Sequence, residues 1–270
     1  MNRRQKFIIV ALGCASGLLA SPVLAEDNPN GWKFTATIYG WFPDIGGQTN
    51  LPVGNTSIDV DIGTILDHLK MTAQGAFDFR KGRWGGFTDI VYLNVGEAKS
   101  NDRNVEIGGV TLPATVTSNL DFNLKSTFAT FGATYQLADS SRAAAGLLFG
   151  VRLASMKQTL DWTFTGNFGA VTPPPLTGSR ETSVDQWDAI VGLRGQLNLG
   201  ESGKWAMPYH FDIGTGDSSL TTQAMLGLTY GLGWGDIGVA WRYLDYDLKS
   251  VEAIDHINFS GPAVGMKIRW

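Results

Sequence analysis

The sequence predicts an all-β fold, a closed antiparallel transmembrane β-barrel of about ten strands. Three observations carry it. Apolar and polar residues alternate along successive segments of the chain, the connections between those segments are alternately short and long, and tryptophans gather at the segment ends.

The chain opens on Arg3, Arg4 and Lys6, continues as an apolar run from Phe7 to Ala20, and reaches Val23-Leu24-Ala25 before Glu26. That tripartite order is the pattern of a cleavable secretory signal peptide. The apolar run falls short of the roughly 20 residues a spanning helix needs, so residues 1–25 are expected to be removed and residues 26–270 to form one barrel domain. A lipidated Cys14 is the rival reading, against which stands the poor Ala11-Leu12-Gly13 approach. Loss of the first 25 residues takes three cations, leaving 18 Lys+Arg against 25 Asp+Glu and a net charge of −7. Such a surface is not that of a nucleic-acid binder. The only cysteine goes too, and with it any disulfide or thiolate metal site.

The strands follow from period-two alternation. Trp32, Phe34, Ala36, Ile38 and Phe42 oppose Lys33, Thr35, Thr37 and Tyr39; Leu147, Phe149, Val151 and Leu153 oppose Gly146, Gly150 and Arg152; Trp187, Ala189, Val191 and Leu193 oppose Asp188, Gly192 and Arg194. Near the end, Ile237, Val239, Trp241 and Tyr243 oppose Gly238, Ala240 and Arg242. The expected strands are 31–42, 71–81, 83–97, 119–138, 143–165, 183–199, 205–216, 219–232, 236–249 and 257–270. A hairpin hidden in 104–118, or two merged strands, makes the count 12 or 8. Short connections at 81–83, 139–142, 200–204 and 233–236 face the periplasm, and long ones at 43–70, 98–118 and 166–182 face outward as loops, so both termini are periplasmic.

Trp32, Trp84, Trp205, Trp234 and Trp270 fall at the expected periplasmic strand ends, and Trp41, Trp162 and Trp187 near the opposite ends. Two aromatic girdles at the membrane interfaces account for this spacing. The expected location is therefore the outer membrane of a Gram-negative cell. Outer-membrane lipid and lipopolysaccharide, and the barrel-assembly machinery during insertion, are the expected partners, with no nucleic acid.

The terminal Gly265-Met266-Lys267-Ile268-Arg269-Trp270 is similar to the C-terminal assembly signal of outer-membrane barrels, carried by Gly265, Ile268 and Trp270, with Trp in place of the more usual Phe. The chain also resembles a family of uncharacterised proteobacterial outer-membrane β-barrel proteins, through Lys81 to Asp89, Gly214 to Ser218 and Trp241 to Tyr246. The resemblance implies fold and location and brings no activity.

By parity, Asp78, Asp89, Asp188 and Asp212 face the lumen with Arg80, Lys125, Arg152, Arg194, Arg242, Lys267 and Arg269, an interior more basic than the protein. Two arrangements are open. The charges pair and fill the interior, or they line a narrow water path with a weak anion preference. In the fourth strand Phe128, Thr130, Phe131 and Tyr135 do not keep one parity, which implies a bulge or a different register. Residues 62–69 carry Ile65, Leu66 and Leu69 at helical spacing, a short amphipathic helix in the barrel mouth or across its rim. Asp59-Val60-Asp61 lacks the glycine-turned loop of a calcium hand, so no metal and no cofactor is expected.

His210 and Asp212 share a strand face about 7 Å apart, and His256 and Ser260 stand near the last strand. A hydrolase needs in addition a nucleophile or positioned water within reach of the base. The expectation is a porin-like passive channel or a structural surface protein, not an enzyme, with no catalytic residue. A lumen or rim hydrolase acting on lipid or peptide is the first alternative, and an adhesin or ligand-binding surface built from the long loops is the second.

Overall fold

A computed structural model describes residues 31–270 except 52–53, 61–62, 64–68, 108–109, 169–173, 201 and 250–253. The expected signal peptide and, Gly63 apart, residues 62–68 of the expected helix lie outside the described residues. The chain forms strands β1 (Trp32–Trp41), β2 (Asp44–Leu51), β3 (Gly54–Val60), β4 (Leu69–Lys81), β5 (Trp84–Ile107), β6 (Val110–Asp139), β7 (Ala143–Phe168), β8 (Leu176–Leu199), β9 (Trp205–Gly216), β10 (Ser218–Gly231), β11 (Asp236–Leu248) and β12 (Ile254–Arg269).

Ten of these form the wall. From β4 to β12 each strand is antiparallel to the next, and β1 pairs with β4 on one side and β12 on the other, from Thr35↔Arg269 to Trp41↔Ala263. Closure leaves the wall without a free edge, which is what a sheet in lipid requires. β2 prolongs β1 along the same partner, from Asp44↔Ser260 to Thr49↔Ile254, and β3 folds back on β2 as a hairpin above the wall. Where β1 leaves β4, the Gln74 side chain replaces the missing strand: Oε1 accepts from Trp41 N at 2.7 Å and Nε2 donates to Trp41 O at 3.0 Å. Among the described residues no helix is long and apolar enough to cross a membrane.

The expected outer loops are largely sheet. β5 and β6 stay paired up to Ile107↔Val110, β7 runs to Phe168 with β8 starting at Leu176, and the β2–β3 hairpin occupies much of the first long connection. The periplasmic turns are short as expected, with Gly82, Gly200 and Gly203 at φ of 59°, 72° and 62°, a backbone that L-residues with side chains rarely adopt.

The wall changes character along its height, and this is what places the site. In the periplasmic part the outward side chains are apolar and exposed: Leu193, Val191 and Trp187 on β8, Ile237, Val239 and Trp241 on β11, Ile268, Met266 and Val264 on β12. The twelve steps from Trp187 to Leu199 span about 40 Å along the strand, or roughly 28 Å of height at a 45° tilt, matching the apolar band of a membrane barrel. Further out the faces exchange roles. On β11 the apolar residues become the inward Leu244, Tyr246 and Leu248; on β5 outward Ile90 gives way to inward Val91, Leu93 and Val95; on β12 Ile257 and Phe259 point in. The outward positions there are polar, as with Lys157, Asp185 and Asp247. The outer end is thus built like a water-soluble barrel around its own core. In β6 the same exchange explains the irregular parity: Phe128 is inward and 1% exposed while Phe131 is outward and 44% exposed. Between Phe128 and Tyr135 the pairing with β5 is unbroken, so no bulge is needed there.

Two substitutions on one face of β8 test this division. Leu193→Arg in the apolar belt should cost about 2–4 kcal/mol of stability. Asp185→Arg, beyond the belt, should stay within about 0.5 kcal/mol. Urea-induced unfolding of each variant in lipid vesicles measures both.

Candidate functional site

Inside the belt a buried polar cluster is assembled from five strands. β6, β7 and β8 bring Thr130, Arg152 and Asp188 side by side in register. Arg152, 0% exposed, reaches across the lumen to β9, where its Nη2 lies 2.7 Å from both carboxylate oxygens of Asp212. Its Nη1 donates to Thr221 on β10 at 3.2 Å and its Nε to Thr130 at 3.4 Å. His210 joins from the same face of β9, with Nε2 2.6 Å from Asp212 Oδ2. Gly192 is opposite Asp212, and a Cβ there would come within 2.7 Å of the aspartate Cβ, so the absent side chain makes room for the cluster.

A second cluster centres on Arg242 of β11. Its Nη2 lies 2.8 Å from Asp89 and donates to Gln223 at 2.7 Å, its Nη1 donates to the Tyr39 hydroxyl at 2.8 Å, and the Tyr39 hydroxyl donates to Asp89. The guanidinium lies 4.8 Å from the centre of the Trp41 ring. A guanidinium buried this deeply is costly without charged and polar partners, which explains why carboxylate, amide and phenol converge on its two Nη atoms, while Nε has no partner among the described residues.

Outward of both clusters the interior is apolar. Phe128 meets Phe259 edge-on at 4.9 Å and stacks on Tyr246 at 6.1 Å, and Trp41 packs on Phe259 at 6.3 Å. Toward the periplasm the interior is again ionic: Arg194 pairs with Asp78 at 2.7 Å over the Phe87 ring, Arg80 with Asp139 at 2.8 Å, and Arg269 with Asp236. Beyond them a cavity of about 660 Å³ opens at the barrel end.

Ten of the eleven charges expected in the lumen point inward, and Lys125 does not. It is exposed on the outer face, in register with the exposed Lys157 of β7. Strand parity from Phe128 and Thr130 puts Lys125 outward; the expectation fails because it extends the belt's rule of polar side chains inward to a height where the faces have exchanged roles. Asp139 and Asp236, which close strands at the turns, were not singled out. With these corrections the lumen charges named so far are six carboxylates and six cations, and Lys33, in register with Arg80 on the inward face of β1, adds a seventh cation at the periplasmic rim, so among the described residues the basic excess is small. Trp41 is not an interface residue either: it is 0% exposed beneath Arg242. Trp162 lies nine residues beyond Leu153, the residue in register with outward-facing Trp187, and is therefore far above the belt. Trp241, outward and 54% exposed, stands at the upper edge with Trp187. Trp32, Trp84, Trp205, Trp234 and Trp270 all stand outward and exposed at the periplasmic end, where Trp84 meets Tyr135 and Trp205 meets Tyr230 at 4.9 Å.

His210 and Asp212 do touch, but Asp212 is also held by Arg152, and among the described residues no hydroxyl nucleophile bonds the imidazole. A different histidine has the more open setting. On the outer face just above Trp241, Asp245 Oδ1 receives the Tyr243 hydroxyl at 2.9 Å and lies 2.8 Å from His256 Nε2, while Ser260 receives the Trp241 indole N–H at 3.1 Å. Sequence distance hid this group, since Asp245 and His256 meet only through the β11–β12 register. Among the described residues no cluster of three or more metal-binding side chains occurs.

The Arg152–Asp212 pair gives a direct test. Asp212→Leu strands a buried guanidinium and should cost about 3–5 kcal/mol, whereas Arg152→Met with Asp212→Leu should recover most of that loss. Equal losses in the single and double variants, by urea unfolding in vesicles, would count against the pairing.

No protein-family profile and no curated protein sequence matches the chain. Among solved structures it is similar to the outer membrane protease OmpT from Escherichia coli, with a TM-score of 0.50 and 9% identity over 90% of this chain and 98% of that one. It also aligns with the translocator domain of the autotransporter NalP from Neisseria meningitidis, with a TM-score of 0.36 and 14% identity over 91% and 90% of the two chains. A third alignment is with the attachment invasion locus protein Ail of Yersinia pestis, at 0.33 and 12% over 89% and 99%. These are outer-membrane proteins of unlike function. The expectation that the chain is not an enzyme does not stand, because the fold it shares over nine-tenths of its length is that of a protease. At this identity the likeness speaks for architecture alone: the protein has the fold of an outer-membrane β-barrel.

Proposed function

We propose that this protein works from its outer end, as a closed barrel that carries a polar cylinder beyond the membrane and presents it for contact at the cell surface. The observation that carries this reading is the filled interior. Arg152 and Arg242 with their partners occupy the lumen at mid-height, and the Trp41, Phe128, Tyr246 and Phe259 rings close it above. Water and ions crossing here would have to displace paired, buried charges and then an apolar layer, each costly. The strands β5 to β8, 24 to 30 residues long, exceed what a bilayer requires, and their surplus length is the cylinder. Lys125 and Lys157, outward and two outward-facing positions beyond Ala129 and Leu153, favour contact with phosphate-bearing lipid headgroups at the base of that cylinder.

A second reading is favoured by the Tyr243–Asp245–His256 group. An imidazole oriented by a carboxylate and open to the outside can take a proton from water that attacks an ester or amide carbonyl, a rim hydrolase acting on lipid or peptide.

Two measurements separate these readings. In planar bilayers the purified barrel should be silent, and Phe128→Ala with Tyr246→Ala and Arg242→Ala should introduce discrete conductance steps; steps from the unaltered protein would sink the closed-barrel reading. Ester and peptide hydrolysis by the folded protein, lost by about a hundredfold or more in both Asp245→Asn and His256→Ala and kept in His210→Ala, would establish the hydrolase.

A further inference from the structure

In the belt the wall has no edge, but it closes only to the height of its shortest outer hairpin. β9 ends at Gly216, in register with Asp188, and β10 begins at Ser218. β8 comes down to that height from much further out, starting at Leu176 and paired with β7 from Phe164↔Leu176 onward. Above the β9–β10 turn two strand positions beside β8 are therefore vacant, roughly 10 Å of width at the ordinary spacing of strands.

The turn itself fixes which backbone groups face that gap. Trp187 N–H donates to Asp217 Oδ2 at 2.9 Å and Trp187 O accepts from Asp217 N at 3.0 Å, so the peptide groups of Trp187 point away from β7. Successive residues of a strand alternate in this respect, which aims the N–H and C=O of Asp185, Ser183, Glu181, Ser179 and Thr177 at the vacant positions. Among the described residues no strand pairs with them. Exposed edges are normally blunted by proline, lysine or a bulge. Residues 176–186 contain neither proline nor lysine, and their pairing with β7 runs without a shift of register, so this edge is straight and open.

The side chains of those five residues are exposed on the outer face, and Asp185 and Glu181 stand four residues apart among them. Lys157 holds Glu181 at 2.7 Å. Asp185, and Asp161 in register with Ser179, make no ion pair among the described residues, so the edge is acidic. A strand added here would place alternate side chains opposite Asp185, Ser183 and Glu181, where cations facing the carboxylates are favoured.

We propose that the outer edge of β8 binds an extended basic peptide segment of a soluble partner as an added antiparallel strand in the position that β9 leaves vacant, with lysine or arginine side chains four residues apart opposite Asp185 and Glu181. The inference rests on the reading that the protein works from its outer end. A second copy in the same membrane does not fit this edge. On the facing walls of two neighbouring barrels the strands, tilted by about 45°, lean in opposite senses and cross instead of pairing.

The probe is a short fluorescent peptide in which valine alternates with threonine or lysine and its two lysines stand four apart. Anisotropy titration with the purified full-length barrel in a zwitterionic detergent should show saturable binding. Methylating the peptide's edge-facing backbone nitrogens removes its donors and should weaken binding about tenfold or more. Ser183→Pro should do the same, because it removes an edge N–H without taking a bond from the β7 pairing. Replacing both lysines by glutamates should weaken binding about fivefold or more, and Asp185→Lys should narrow the difference between the two peptides. No saturable binding, equal binding of the methylated peptide, or equal binding by a Ser183→Pro barrel that keeps its β-sheet spectrum would overturn the proposal. So would a dimer in detergent that Ser183→Pro dissociates, since the edge would then belong to a second copy. A barrel that is silent in bilayers and ignores the peptide sinks this inference alone, and a conducting barrel that binds the peptide sinks only the closed-barrel reading.

Discussion

Every feature of this molecule depends on one constraint: a strand shows successive side chains to opposite sides, and each side of this barrel changes its surroundings once along the strand. In the belt the outside is lipid and the inside polar. Beyond Trp187 and Trp241 the outside is water and the inside is a core of Val91, Phe128, Leu244, Tyr246 and Phe259. The wall crosses that boundary without a break in pairing through the middle of β5, β6 and β7, so the faces exchange polarity while the backbone continues.

That exchange determines where chemistry can occur. Charge in the belt must be internal, where pairing lowers its cost, and Arg152 meets Asp212 and Arg242 meets Asp89 there, while Asp188 accepts the Ser218 backbone N–H instead. Charge beyond the belt can stand outside, which frees Lys125 and Lys157, and the Tyr243–Asp245–His256 group, to meet lipid headgroups or solvent. The aromatic layer across the lumen is the interior of the outer cylinder, and closure of the lumen follows from that cylinder having a core.

The periplasmic end obeys the same rule with less success. Three arginines there each hold an aspartate, and Lys267, within the same sheet face, has none left to hold. A wide and partly solvated recess lowers the cost of such an imbalance.

Strand existence, antiparallel order, short periplasmic turns and the ten-strand count were legible in the sequence, because lipid demands outward apolar residues at alternate positions and turns require their glycines. Inward placement of Arg152, Asp188, Arg194 and Arg242 followed from the same alternation. Whatever depended on two strands meeting was not legible. The bond from His256 to Asp245, the hold of Gln74 on the Trp41 peptide and the closing of Asp236 on Arg269 arise from register and from reach across the lumen, which no local pattern encodes. Lys125, Trp41 and Trp162 were misplaced for a related reason. Alternation tells which residues share a face but not what lies against that face, and only the closed, tilted wall decides at what height lipid ends and water begins.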